Sequence, residues 1–265
     1  MKTVYWIDNF SVPLIFIVTI LLVFGAINAG RYIGSRNQTS SGGGESIGSV
    51  VGATLGLLAF LLAFTFNMAA NRFDNRKELM LKELNAIDTA FRRAGLLPSS
   101  MASEARNLLV EYVDLRVKIA QDPSFIEEAV RRSEEIQNQL WQVMETVSGN
   151  QPLDIRYSLY IQSVNELMNL LEERVVVALH FRIPGAIWLG LYILAILAMI
   201  AVGYQFGQSN RRQLLVSITL AVAFSSVIAL ISDLDRATSG IIKLNQQPLY
   251  EYQQKIESAN SQIQQ

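Results

Sequence analysis

Four stretches of this sequence contain no charged residue: Asn9–Gly30, Ser46–Asn71, Ile183–Asn210 and Gln213–Ser232. About 20 apolar residues of helix, rising about 1.5 Å each, cross a hydrocarbon core roughly 30 Å thick. The runs therefore predict four transmembrane helices, near Phe10–Ala29, Ile47–Ala70, Pro184–Phe206 and Leu214–Ile231. The first run is expected to be retained rather than cleaved. Asp8 precedes it as well as Lys2, its apolar core is too long for a signal peptide, and no small-residue cleavage site follows. Only 17% of the chain is charged, against about a quarter in soluble domains. The chain has no cysteine, which excludes disulfides, thiolate metal sites and thiol nucleophiles.

The missing charge is concentrated elsewhere. Residues 72–182 hold 31 of the 45 charged side chains, so a soluble insert of domain size lies between spans two and three. Its apolar residues recur at helical spacing. Met80, Leu84, Ile87 and Phe91 form one stripe, and Leu109, Val113, Arg116 and Ala120, with Tyr112 and Ile119 beside them, a second. Ile126, Val130, Ile136, Leu140, Val143 and Val147 form a third, and Tyr160, Val164, Leu167, Leu171, Val175 and Leu179 a fourth. "GLLPSS" (Gly95–Ser100), with Ser100 as the next N-cap, and the turns around Pro123 and Pro152 separate them. No run alternates with period two. The expected fold is all-α: a polytopic membrane protein with four spans and a helical cytoplasmic domain inserted between spans two and three. The expected divisions are residues 1–71, 72–182, 183–232 and 233–265.

"TSSGGGES" (Thr39–Ser46) is expected to be a flexible connector; no Gly-Lys-Ser/Thr follows that would make it a phosphate loop. The Gln-rich tail after Gly240 is expected to end in about ten disordered residues. Nine Lys/Arg flank the spans on the side of the insert and both termini, among them Lys2, Arg72, Arg174, Arg236 and Lys243. Four (Arg31, Arg36, Arg211 and Arg212) flank them on the other. That bias predicts cytoplasmic termini and a cytoplasmic insert, with Gly42–Gly44 on the far side.

Enzyme chemistry finds little to work with. The lone histidine, His180, has no nucleophile–base partner or metal-ligand spacing. The pairs Glu127/Glu128 and Glu134/Glu135 sit opposite apolar stripes, as a solvated face would. No metal, no cofactor and no nucleic-acid partner is expected.

Span two is more informative. Ser49, Ala53, Gly56, Phe60, Phe64, Asn67 and Asn71 keep one helical face. That face is small at one end, aromatic in the middle and amide-bearing beyond, with Arg72 and Arg76 following it as anion-attracting groups. Amides facing hydrocarbon cost several kcal/mol. Core packing, a helix–helix seam and the wall of a pore all remain open on spacing alone. Asp233, Asp235 and Arg236 stand at the end of span four, where interfacial ion pairs are the simpler expectation and a gating or cation site the sharper one.

Five phrases together resemble a bacterial family of four-span proteins described as bestrophin-like. They are "GLLAFLLAFTFNMAANRFDNRKEL" (Gly56–Leu79), "NAIDTAFRRAGLLP" (Asn85–Pro98), "NELMNLLEERV" (Asn165–Val175), "IPGAIWLGLYILAILAMIAVGYQFG" (Ile183–Gly207) and "LISDLDRATSG" (Leu230–Gly240). Ala237 stands where the family usually has proline. The segment "FTFNMAANRFDNRK" is also similar to the place in bestrophins where an apolar neck passes into a cytoplasmic helix. The resemblance implies a homo-oligomer, a pentamer, in the bacterial cytoplasmic membrane, conducting small anions such as chloride. Phe60 and Phe64 would be its neck, with Gly56, Asn67 and Asn71 lining the path. The alternative is a membrane-anchored helical sensor or scaffold without transport activity.

Overall fold

A computed structural model of the chain describes residues 10–36, 44–148, 155–179, 181–208, 213–236 and 240–264. Lys2, residues 39–43 of the Gly-rich connector, Pro152, His180, Arg211, Arg212 and Ala237 lie outside them. The described residues form eight α-helices, a 3-10 turn at Pro123–Phe125 and no strand. The helices are α1 Val12–Arg36, α2 Gly44–Ala94, α3 Ser99–Gln121, α4 Ile126–Ser148, α5 Ile155–Leu179, α6 Gly185–Gln208, α7 Leu214–Asp235 and α8 Gln247–Gln264. Four of them (α1, α2, α6 and α7) are long and apolar enough to cross a membrane. The chain divides into two compact units, Met1–Asp74 with Phe181–Lys243, and Asn75–His180 with Leu244–Gln265. The 233–265 segment is thus shared between the two.

In the first unit, α1 packs against α6 and α7. Ile27 and Val23 of α1, Leu58, Leu62 and Ala69 of α2, Trp188 and Leu191 of α6 and Ile228 of α7 fill its core. The α1–α6 seam is made by backbone. A Cβ at Gly30 or Gly34 would collide with the carbonyl of Ile200 or Tyr204, and one at Gly203 or Gly207 with that of Ile27 or Arg31. Glycines four apart on both helices leave flat strips that let the axes close up. Thr19 and Tyr192 add a hydroxyl contact of 3.2 Å across the same pair. Gly203→Leu is expected to cost at least the roughly 1–3 kcal/mol of an overpacked site. Gly190→Ala, where a Cβ would meet nothing within 4 Å, is expected to be tolerated. Thermal unfolding in detergent reads the difference.

The second unit is a helical domain in which α3 contacts α4 and α8, and α4 contacts α5. The stripes expected from spacing supply its core: Leu84, Ile87 and Phe91, Leu109, Tyr112 and Val113, Ile136 and Leu140, and Tyr160, Val164 and Leu167. One carboxylate is buried with them. Glu83 accepts from the Tyr112 hydroxyl (2.5 Å) and Arg116 Nε (3.0 Å) and pairs with Arg174. Two guanidiniums and a phenol offset the desolvation of this carboxylate. Arg116, an apparent interruption of an apolar stripe, is its partner.

The tail corrects the expectation of disorder. Gln247–Gln264 is helical because Leu249, Tyr252 and Ile256, spaced 3 and 4 apart, bury one face in this core. Gln253 donates to Asp114 (2.7 Å) and Lys255 to Asp88 (3.1 Å). The Ser100 cap is also corrected: α3 begins at Ser99, and its N-cap is Pro98, whose φ of -52° leads into the helix.

Candidate pore-lining face and its anchoring cluster

The helical spacing of α2 separates two faces of opposite fate. Val51, Leu58, Leu62, Thr65 and Ala69 are buried against the first unit. Ser49, Ala53, Gly56, Phe60, Phe64, Asn67 and Asn71 are exposed. Phe60 is 69% and Phe64 53% exposed, which excludes packing within the subunit as the role of either ring. Asn71 Nδ2 donates to Asn67 Oδ1 across one turn (2.6 Å), so the two amides form a linked polar patch just past the aromatics.

Arg72 and Arg76, expected as anion-attracting groups beyond the aromatics, do not share this face. At about 100° per residue, Arg72 is turned about 120° and Arg76 about 160° from the direction of Phe60. Both continue the packed side, in step with Thr65 and Ala69. Arg72 Nε lies 3.5 Å from Asp235 Oδ1. The chain step from Asn71 to Arg72 looks continuous in sequence but rotates a side chain off the stripe.

The end of α7 accounts for that pairing. Asp235, almost fully buried, receives Arg182 Nε on Oδ2 (3.0 Å) and the Ile183 backbone N–H on Oδ1 (3.2 Å), beside Arg72. Asp233 accepts the backbone N–H groups of Ile241 (2.6 Å) and Ile242 (2.8 Å) and so shapes the chain leaving α7. Arg236 donates to the carbonyl of Phe10, just before α1. Asp233, Asp235 and Arg236 are therefore occupied as a clamp: Asp235 and Arg236 tie the end of α7 to the middle of α2 and to the residues leading into α6 and α1, and Asp233 holds the chain that follows α7. Arg182, reading only as a flanking cation in the sequence, is a member of it. No group of three or more His, Cys, Asp or Glu suited to a metal occurs among the described residues.

A second polar region lies within the helical domain. Arg92, Arg106 and Lys255, with Asp88, Phe91 and Ile256, line a crevice of about 300 Å³. Burial raises the Asp88 carboxyl, but hydrogen bonds from Arg92 and Lys255 outweigh it and hold the group below its ordinary range. Arg106 lies over the Phe91 ring, 5.5 Å from its centroid. Arg92 and Lys255 are thus committed to Asp88 and Arg106 lies on the Phe91 face, and the crevice reads as packing between α2, α3 and α8. Glu127, Glu128, Glu134 and Glu135 are exposed on α4, with Glu135 paired to Arg132 (3.1 Å), a solvated face.

Comparison with known proteins agrees with this architecture. A comparison with curated proteins finds no match. Among solved structures, a variant of a bacterial bestrophin homolog from Klebsiella pneumoniae is similar over 96% of this chain and 98% of its own, with a TM-score of 0.64 and 18% identity. A second variant of that homolog gives a TM-score of 0.61 at 17% identity, covering 94% of this chain and 99% of that one. A structure described as a membrane protein gives 0.65 at 18% identity, covering 96% and 98%. At such identities the likeness speaks for the fold. The sequence itself matches the bestrophin-like domain over residues 16–249, and the chain belongs to the bestrophin-like family.

Proposed function

We propose that the protein is an ion channel built as a ring of identical subunits in a membrane, with the exposed face of α2 as the pore wall. One observation carries this reading. The exposed face of α6 is aliphatic, as at Leu189, Ile193 and Leu197, and that of α7 is aliphatic at Leu215, Ile218 and Val222, its exposed Thr219 and Ser226 hydroxyls bonded to carbonyls of their own helix. The exposed face of α2 instead runs from Gly56 through two aromatic rings to two linked amides. Aliphatic faces suit lipid, whereas an amide pair pays for leaving water. Ring closure about α2 would place copies of Phe60 and Phe64 around a dehydrating constriction and the amides in the wider, wetted part beyond it. Five subunits follow from the resemblance to bestrophins. The excess of Lys and Arg beside the insert and termini supports a cytoplasmic location for both. The resemblance would also make chloride the conducted ion.

The absence of cysteine makes the test direct. Single cysteines at Gly56, Asn67 and Asn71 are expected to react with a hydrophilic thiol reagent in reconstituted vesicles and to change ion flux on reaction. A cysteine at Leu197, on an aliphatic face, is expected to do neither. A folded protein whose stripe cysteines are unreactive, or a dimer by mass measurement in lipid, would favour the membrane-anchored scaffold.

A further inference from the structure

We infer that the helical domain binds a small oxyanion, such as inorganic phosphate, between the guanidiniums of Arg116 and Arg174. Both converge on one carboxylate, Glu83, which is 1% exposed. Arg116 Nε reaches Oε1 at 3.0 Å, and Arg174 pairs with Oε2 through Nη1. The Tyr112 hydroxyl donates to Oε1 (2.5 Å) and accepts from Arg116 Nη2 (2.7 Å), and Arg116 also lies over the Tyr112 ring. Beyond these contacts neither arginine has a partner among the described residues. A guanidinium carries five N–H groups, so most of those on this pair lack an acceptor. Two guanidiniums against one carboxylate leave one positive charge uncompensated, and the phenol brings no charge to offset it.

The other charges on α2, α3 and α5 within this domain do not make up the deficit. Glu78 pairs with Lys82 (2.8 Å), and Asp88 with Arg92 and Lys255. Glu111 pairs with Arg132, and Asp114 accepts from Gln253. Glu173, next to Arg174 in the chain, is turned about 100° from it and acts on Lys82. Glu104, Glu166 and Glu172 are exposed and form no ion pair with either arginine. Lys77 and Lys118, both exposed, only add positive charge. Burial lowers the Arg174 guanidinium, to about 10, as it does for a cation short of counter-charge. Arg116 is 8% exposed but the Arg174 side chain 30%, so solvent reaches the pair from the Arg174 side. An oxyanion suits the place better than chloride, because its several oxygens can accept from both guanidinium forks at once.

Calorimetric titration of inorganic phosphate into the full chain in detergent tests this, with potassium chloride at matched ionic strength as the reference titration. The parent is expected to bind phosphate with a Kd of about 1 mM or tighter. Its unfolding temperature is expected to rise by roughly 3 °C or more at phosphate about tenfold above that Kd. Arg174→Gln, at a partly exposed position, is expected to weaken binding at least about tenfold and to lose the rise. Arg174→Lys keeps the charge without the fork and is expected to fall between the two. Lys255→Gln, at the separate crevice beside Asp88, is expected to bind as the parent does. No binding by the parent, chloride binding equal to phosphate, or a loss confined to Lys255→Gln overturns the inference. So does a rise that survives undiminished in Arg174→Gln, which would be the general stabilising effect of phosphate as a salt. Should Arg174→Gln fail to fold, Arg174→Lys decides, and binding equal to the parent's overturns the inference.

Discussion

Replacing both Phe60 and Phe64 with alanine should raise ion flux in reconstituted vesicles by an order of magnitude or more, without unfolding the subunit. Both rings are more than half exposed, so truncating them opens no cavity in the subunit core. Around a pore axis they would form the narrowest, driest ring, and small side chains there let water and ions enter. The matched control lies on the opposite face. Leu58→Ala or Leu62→Ala removes a buried side chain of the first unit's core and is expected to cost about 2–5 kcal/mol in stability. Flux assays and thermal unfolding on the same four proteins separate a wall from a core. Loss of folding in the Phe60/Phe64 variant, with flux no greater than in the parent, would return these rings to packing between subunits.

Asp235→Ala should be the most destabilising single substitution at the end of α7, by about 3–5 kcal/mol, the usual cost of stranding buried charges. The change leaves the Arg182 guanidinium, nearly as buried as Asp235 itself, without its carboxylate and deprives Arg72 and the Ile183 N–H of an acceptor. Asp235→Asn retains an acceptor for Ile183 and should lose less. Asp233 acts on a single stretch of backbone, so Asp233→Asn should be milder still. Unfolding midpoints in detergent rank the three. A near-neutral Asp235→Ala would mean that water reaches the cluster and that the clamp contributes little.

Helical spacing carried the reading of this chain where side chains on one face share one environment. The stripe from Ser49 to Asn71 and the cores around Ile87, Leu109, Leu140 and Leu167 follow from steps of 3 and 4. Adjacency along the chain is not adjacency on a face: Arg72 follows Asn71 directly yet turns to the packed side, beside Asp235. The tail went unrecognised because glutamines dominate its composition and three apolar residues at the right spacing suffice to dock a helix. The glycine seam had a visible trace, Gly30 with Gly34 and Gly203 with Gly207. Yet its meaning lies in what a side chain would strike on a helix about 170 residues away. The partners of Asp235 are equally remote: Arg182 stands 53 positions earlier, and nothing local names it.

That seam also sets a schedule for biosynthesis. Its two strips belong to α1 and α6, which lie side by side yet are separated in the chain by the whole helical domain. Synthesis proceeds at about 5–20 residues per second, and α6 begins about 150 residues after α1 ends, so α1 waits roughly 10–30 s for its partner. Throughout that interval the glycine strip and Thr19 face whatever surrounds a nascent span. The first hairpin is therefore a provisional structure, one that an insertion chaperone or a neighbouring copy of the same helix could occupy before the native partner emerges.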